Sequence, residues 1–182
     1  EDLVKISKQK KIKKFIYASS SSVYGIKNTE NVTEDMDLTP LTDYSKFKSE
    51  CEKIVLKYSD EDFVCSILRP ATVCGFSRRQ RLDVIVNILT NHAYNKGNIK
   101  IFGGKQKRPN IHIKDMVEAY MVLLNAPKEK IAGEIFNAGY ENQPVKKIAE
   151  MVKKNIGSDI KLNKIHSADT RSYHISSEKI KK

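Results

Sequence analysis

The sequence contains no tryptophan, only three cysteines and no long apolar run. The cysteines, at positions 51, 65 and 74, form no C-x-x-C pair, and the four histidines show no H-E-x-x-H spacing, so neither a disulfide framework nor a metal site is indicated. No apolar stretch approaches the roughly 18 to 20 residues of a membrane-spanning helix, and no signal-peptide pattern opens the chain. We therefore expect no metal, no membrane partner and a cytoplasmic location.

Acidic residues are also scarce relative to basic ones. The chain of 182 residues has 22 Asp and Glu against 33 Lys and Arg, which gives a formal net charge of +11. Such a surface can attract nucleic acids or small anions. The lysine clusters at 8–14 and 179–182 come without a helix-turn-helix, zinc-finger or aromatic RNA-binding signature. We interpret them as solvated faces and expect no nucleic acid partner.

Short β-rich runs alternate along the chain with longer amphipathic ones. This alternation implies a parallel sheet with right-handed crossovers, within a chain of one-domain size. We therefore predict an α/β fold with a doubly wound, Rossmann-like parallel sheet. The periodicity predicts strands at 14–18, 63–68, 99–102, 111–113 and 134–138, and helices at 2–10, 44–58, 82–95, 114–125 and 143–156.

The eight glycines do not form the phosphate-binding loop of such a fold. A doubly wound sheet normally opens with a strand, a G-x-G-x-x-G turn and a helix. This chain opens instead on a predicted helix that leads into a strand. We therefore expect the N-terminal half of the fold to be missing and the C-terminal end to be truncated.

Hydroxyl and ammonium groups gather at one predicted edge of the sheet. Four serines, Ser19 to Ser22, directly follow the apolar run at 14–18, and about twenty residues later Tyr44 and Lys48 form a Tyr-x-x-x-Lys pair. Positions i and i+4 share a helix face, so the lysine ammonium can stabilise the tyrosine phenolate. The tyrosine then becomes a usable proton acceptor and donor. Ligands of open α/β sheets bind at the carboxyl ends of the strands, where Ser20 can hold a substrate oxygen.

Six stretches of the chain resemble a known family in order and spacing. They are FIYASSSSVYG, TPLTDYSKFKSE, ILRPATVCG, FGGKQKRPNIHIKDMVEAY, GEIFNAGYENQPVKKIAEMV and DTRSYHISSEKIKK. Through them the chain is similar to the extended short-chain dehydrogenases/reductases, and within these to the NAD-dependent nucleotide-sugar epimerases and dehydratases typified by UDP-glucose 4-epimerase. The resemblance covers essentially the whole chain and corresponds to the later half to two-thirds of the family.

The resemblance implies a role for particular residues at the cofactor. Tyr44 corresponds to the catalytic base, and Lys48 to the residue that lowers its proton affinity and holds the nicotinamide ribose of NAD. Ser20 corresponds to the catalytic hydroxyl that also contacts the substrate. Ala71 and Val73 lie at the strand end whose backbone meets the nicotinamide carboxamide.

The resemblance also implies which side chains contact the substrate. Arg108 and Arg171 correspond to arginines near a nucleotide diphosphate, and the planar guanidinium suits paired phosphate oxygens. Arg81, with Asp83, is a further candidate substrate contact. Dehydratases of the family carry Asp-Glu where this chain has Ser21 and Ser22, which argues against water elimination.

These expectations favour an NAD-dependent epimerase of a nucleotide-diphosphate sugar, of the 4-epimerase type, that forms a homodimer at full natural length. A nucleotide-sugar reductase or dehydrogenase using the same Tyr-Lys pair remains an alternative. So does a catalytically incompetent chain that only binds nucleotide sugar. We expect residues 1–75 to form the second half of the NAD-binding domain with the Ser/Tyr/Lys site. Residues 76–182 are expected to form mainly the nucleotide-sugar-binding region, interleaved with remaining strands of the sheet.

Overall fold

The computed structural model describes residues 1–29, 31–167 and 172–182. Its helices are α1 (Asp2–Gln9), α2 (Asp43–Lys57), α3 (Ile85–Lys96), α4 (Ile113–Asn125), α5 (Lys128–Ile131) and α6 (Val145–Ile156). Its strands are β1 (Lys14–Ala18), β2 (Val64–Pro70), β3 (Thr72–Cys74), β4 (Asn98–Phe102), β5 (Lys107–His112), β6 (Ile135–Ala138), β7 (Glu141–Pro144) and β8 (Lys161–Ile165). A 3-10 turn spans Ser21–Tyr24.

A parallel three-stranded sheet in the order β1-β2-β6 forms the centre of the fold. Residues 64–69 of β2 are all buried, as is typical of a strand covered on both faces. This confirms the predicted α/β class with parallel strands. The strand β2 runs through Arg69 and Pro70, where the sequence predicted its end; a proline is tolerated at a strand terminus because it still offers its carbonyl.

Two smaller sheets accompany the central one. In the first, β5 pairs in parallel with β3 and antiparallel with β7. In the second, β4 pairs in parallel with β8. Although β6 lies in the 76–182 segment, it pairs with β2 of the 1–75 segment, so the sheet is interleaved between the two segments.

Two main apolar clusters support these sheets. One packs α4 against the central sheet through buried side chains such as Leu68, Leu123 and Phe136. The other joins α3 and α6 over β4 through Leu89, Ile99 and others. In the part of the chain that the structure describes, none of the helices has the length and apolar character to cross a membrane.

The start of α2 is fixed by its own residues. The Thr42 hydroxyl accepts a hydrogen bond from the Ser45 amide at 3.2 Å, and the Ser45 hydroxyl accepts one from the Thr42 amide at 3.0 Å. This reciprocal capping satisfies two amides at the helix terminus. This cap places Tyr44 in the first turn of the helix.

Candidate active site

A cavity of about 660 Å³ opens where β1 and β2 end. Its lining includes six of the residues predicted to act in catalysis or in binding of cofactor or substrate: Ser20, Tyr44, Ala71, Val73, Arg81 and Arg108. A smaller cavity of about 460 Å³ beside α3 and α6 contains none of them. The residues lining the larger cavity are Ser19, Ser20, Ser21, Ser22, Thr42, Tyr44, Pro70, Ala71, Thr72, Val73, Arg81, Val84, Arg108, Pro109 and Tyr173.

Ser20 begins the 3-10 turn that carries the chain away from β1. Its backbone is extended, and its hydroxyl accepts a hydrogen bond from the Ser22 amide at 3.2 Å. The hydroxyls of Ser20 and Ser22 lie 2.9 Å apart. The turn therefore fixes where the Ser20 oxygen points.

Tyr44 and Lys48 lie on adjacent turns of α2, as predicted. Tyr44 is 57% exposed in the cavity. The Lys48 ammonium lies 5.7 Å from the centre of the Tyr44 ring and 4.9 Å from that of Tyr17, and it donates a hydrogen bond to the Ala18 carbonyl at 2.6 Å. Lys48 is absent from the residues that line the cavity, so only Tyr44 of this pair lines it.

The arginines of the site differ in their surroundings. Arg81 lies at the cavity but forms a two-pronged ion pair with Asp83, at 3.1 and 2.8 Å. This pairing raises the pKa of Arg81 and lowers that of Asp83. Arg108 also lines the cavity, donates to the Lys107 carbonyl at 3.0 Å, and stacks 5.3 Å from the ring centre of Tyr173. Arg171 lies outside the described residues.

A buried polar network behind the cavity was missed by reasoning from the sequence. The carboxylate of Glu52 on α2 accepts two hydrogen bonds from the Arg69 guanidinium, at 3.0 and 2.7 Å, and a further one from the Ser19 hydroxyl. Arg69 also donates to the Tyr24 hydroxyl at 2.7 Å, and Tyr24 donates to the Asn137 side chain at 2.7 Å. One signal was available: Glu52 lies four residues after Lys48, on the same helix face.

Burial disfavours the charged form of two groups in this network. It raises the pKa of the Tyr24 hydroxyl, although the nearby Arg69 charge opposes the rise. Hydrogen bonds from Arg69 to Glu52 keep the pKa of the Arg69 guanidinium raised despite its burial. The residues that the structure describes include no cluster of three or more His, Cys, Asp or Glu side chains fit to hold a metal.

The sequence is similar to those of known epimerases. The chain is 33% identical over 153 residues to the uncharacterized UDP-glucose epimerase YtcB of Bacillus subtilis, covering 82% of this chain and 47% of that protein. It is 28% identical over 169 residues to a UDP-glucose 4-epimerase of Lactobacillus helveticus, covering 82% and 50%. The chain thus spans about half the length of these relatives.

The fold also matches solved structures. A UDP-glucuronic acid 4-epimerase from Bacillus cereus, solved in complex with NAD, is 29% identical and superposes with a TM-score of 0.83, covering 98% of this chain and 57% of that one. The model of the NAD dependent epimerase/dehydratase family matches residues 1–139. The chain therefore belongs to the NAD-dependent epimerase/dehydratase family, as its motifs indicated.

Proposed function

We propose that the protein is an NAD-dependent epimerase of a nucleotide-diphosphate sugar, of the 4-epimerase type. The observation that carries this proposal is the cavity of about 660 Å³, which has Ser20, Tyr44 and Arg108 in its lining and Lys48 directly behind Tyr44. The relatives in Bacillus subtilis and Lactobacillus helveticus are named as UDP-glucose epimerases, which supports a nucleotide sugar as the substrate class.

The cavity suits the nicotinamide ribose end of NAD. Its lining combines hydroxyl groups with the aliphatic surfaces of Pro70, Ala71 and Val73. Tyr44 would contact the ribose, and the strand end at Ala71 and Val73 would face the carboxamide. Lys48 does not line the cavity, and its contact with the ribose is proposed on the resemblance alone. The Ala71 amide already donates to the Ala138 carbonyl at 2.7 Å, so other backbone groups must contact the carboxamide. NAD bound here would supply a reversible hydride acceptor.

The chain's own residues would move the proton. Tyr44 would accept the proton of the reacting sugar hydroxyl and return it after the ketone has presented its other face. The Lys48 ammonium would stabilise the phenolate that forms in between. Ser20, whose oxygen the 3-10 turn directs, would hydrogen-bond the same sugar oxygen.

The charged residues of the cavity would bind the diphosphate. Arg108 has a planar guanidinium suited to two phosphate oxygens, and its stacking on Tyr173 limits its motion. Arg81 is a weaker candidate because Asp83 already neutralises it. Arg171 is proposed on the resemblance alone, and so is the homodimer.

Two hydroxyls argue for epimerisation over dehydration. Ser21 and Ser22 line the cavity at the positions where the family's dehydratases carry an acid and a base. A hydroxyl at its ordinary pKa cannot perform that proton transfer near neutral pH. We therefore expect the keto intermediate to be reduced again and not to lose water.

The test is to incubate the protein at its full natural length with UDP-sugars and catalytic NAD+, and to follow both epimers by chromatography. An epimerase interconverts them with no net change in NADH absorbance, because the hydride returns in every turnover. Stoichiometric NADH formation or consumption would instead identify a dehydrogenase or reductase. No conversion of any nucleotide sugar would contradict the proposal.

A further inference from the structure

The buried pair of Glu52 and Arg69 lies behind the cavity without lining it. Both side chains are 3% exposed. Removing two charges from water is expensive, and a buried ion pair often adds little net stability over apolar residues. What such a pair does provide is fixed geometry, because each partner is held by directional hydrogen bonds.

Ser19 connects the Glu52–Arg69 pair to the 3-10 turn that Ser20 begins. Ser19 is buried, its amide donates to the Leu68 carbonyl of β2 at 2.8 Å, and its hydroxyl donates to the Glu52 carboxylate. Backbone and side chain thus tie this residue to two different elements. The next residue is Ser20, so the position of Ser19 sets where the chain enters the cavity.

The helix that carries Tyr44 supplies both contacts to this strand end. Tyr44, Lys48 and Glu52 follow one another at intervals of four and therefore share one face of α2. Lys48 binds the carbonyl of Ala18, and Glu52 binds the hydroxyl of Ser19. Side chains from two successive turns of the helix thus hydrogen-bond to two successive residues at the end of the strand.

We propose that Glu52 is a positioning residue, which acts through Ser19 to hold the Ser20 hydroxyl in register with Tyr44. Arg69 completes the arrangement by donating hydrogen bonds to both oxygens of the Glu52 carboxylate. The inference rests on the proposed function, because it assigns Glu52 a part in the same reaction without contact to substrate or cofactor.

A double-mutant cycle tests the route through Ser20 in the protein at its full natural length. Replacing Glu52 would leave the Arg69 charge buried and unpaired, so Ser19→Ala is the cleaner change. In the wild-type background we expect Ser19→Ala to lower kcat about tenfold with KM little changed, since coupled neighbours interact at this scale. In a Ser20→Ala background the same change should have an effect below about twofold.

Ser66→Ala is the matched control. Ser66 is a fully buried serine of β2 whose hydroxyl donates to the Ile131 carbonyl at 2.7 Å, away from the cavity. It should lower the melting temperature in the same way as Ser19→Ala but leave kcat within about twofold. If Ser19→Ala is too unstable to assay, Ser19→Cys keeps the size and a weak donor and replaces it in the cycle.

The two ways of failing are distinct. An equal loss of kcat from Ser19→Ala in both backgrounds, or no loss in either, would overturn the positioning role while the proposed function stands. Ser20→Ala with full activity would overturn the role of Ser20 and the positioning inference with it, whereas a wild-type protein that does not interconvert epimers would overturn the proposed function as well.

Discussion

The serines that follow β1 differ in what their side chains contact. Both Ser19 and Ser20 line the cavity, but the Ser19 hydroxyl is buried against the Glu52 carboxylate, whereas the Ser20 hydroxyl caps the 3-10 turn. Ser20 was predicted from its place at the carboxyl end of a strand and from the resemblance to the family. It could not predict the contact of Ser19, because a buried hydroxyl is defined by its partner, here 33 residues away on another element.

The buried hydroxyl of Tyr24 also depends on partners distant in the chain, and it provides a prediction about stability. Its hydroxyl lies between Arg69 and Asn137, so Tyr24→Phe leaves a buried donor and a buried acceptor without that partner. We expect a loss of about 1–3 kcal/mol in the free energy of unfolding near neutral pH. Urea denaturation measures it. Tyr140→Phe, at a residue that is 79% exposed, is the control and should change little.

The pH dependence of this loss has a definite sign. Because burial raises the pKa of folded Tyr24, its contribution is complete below its unfolded pKa of about 10 and is lost as pH rises through the folded value. Tyr24→Phe has no such group to ionise. The difference in unfolding free energy between the two proteins should therefore shrink above about pH 10. A difference that grows with pH would refute this reading.

At the scale of elements, the sequence predicted the helices and strands that are long enough to show a periodic pattern. The helix α2 was predicted at 44–58 because its periodicity is a local property of the sequence, and it is found at Asp43–Lys57. The short strands β3, β7 and β8 were not predicted, since three to five residues carry little pattern and depend on partners distant in the chain.

The end of the 3-10 turn offers a prediction at this scale. Gly25 has a φ of +65°, and a Cβ there would lie 2.0 Å from the Thr39 carbonyl oxygen. Gly97, which ends α3, has a φ of +61° but open space around a Cβ. Gly97→Ala should lower the free energy of unfolding only by the cost of placing alanine in a left-handed conformation, about 1–2 kcal/mol. Gly25→Ala should cost clearly more, because Thr39 must also move.

Thermal or urea denaturation of the two variants makes the comparison. The two glycines share a positive φ but differ in ψ, which is −149° at Gly25 and 13° at Gly97, so the difference reports both the clash with Thr39 and the extra strain of a backbone region that side chains avoid. Equal destabilisation would mean that the loop at Thr39 yields freely and does not support the turn that carries Ser20.

At the scale of the whole molecule, the chain spans about half of its curated relatives. Dinucleotide-binding folds hold the pyrophosphate at a glycine-rich loop and a helix N-terminus, and this sequence has no G-x-G-x-x-G. The family and the fold were still predictable, because the motifs around Ser20, Tyr44 and Arg108 keep their order. The contact between Arg81 and Asp83 was not, since both are exposed and their pairing is a local choice of side-chain conformation.

The missing loop leads to a prediction about the 182-residue chain by itself. Without a pyrophosphate site, we expect it to bind NAD+ with no saturable signal below about 1 mM in isothermal titration calorimetry. The nicotinamide end alone offers too few contacts for tighter binding. Micromolar binding by this chain would show that the pocket residues suffice and would contradict the expectation.

The central claim is that Tyr44 moves the proton in nucleotide-sugar epimerisation, and one measurement tests it most directly. The kcat of Tyr44→Phe is compared with that of wild type in the protein at its full natural length, with Tyr94→Phe, 78% exposed on α3, as the control. Loss of general acid–base catalysis predicts a fall in kcat of at least about 100-fold, with nucleotide-sugar binding nearly intact and the control unchanged. A Tyr44→Phe protein that epimerises at the wild-type rate would contradict the account.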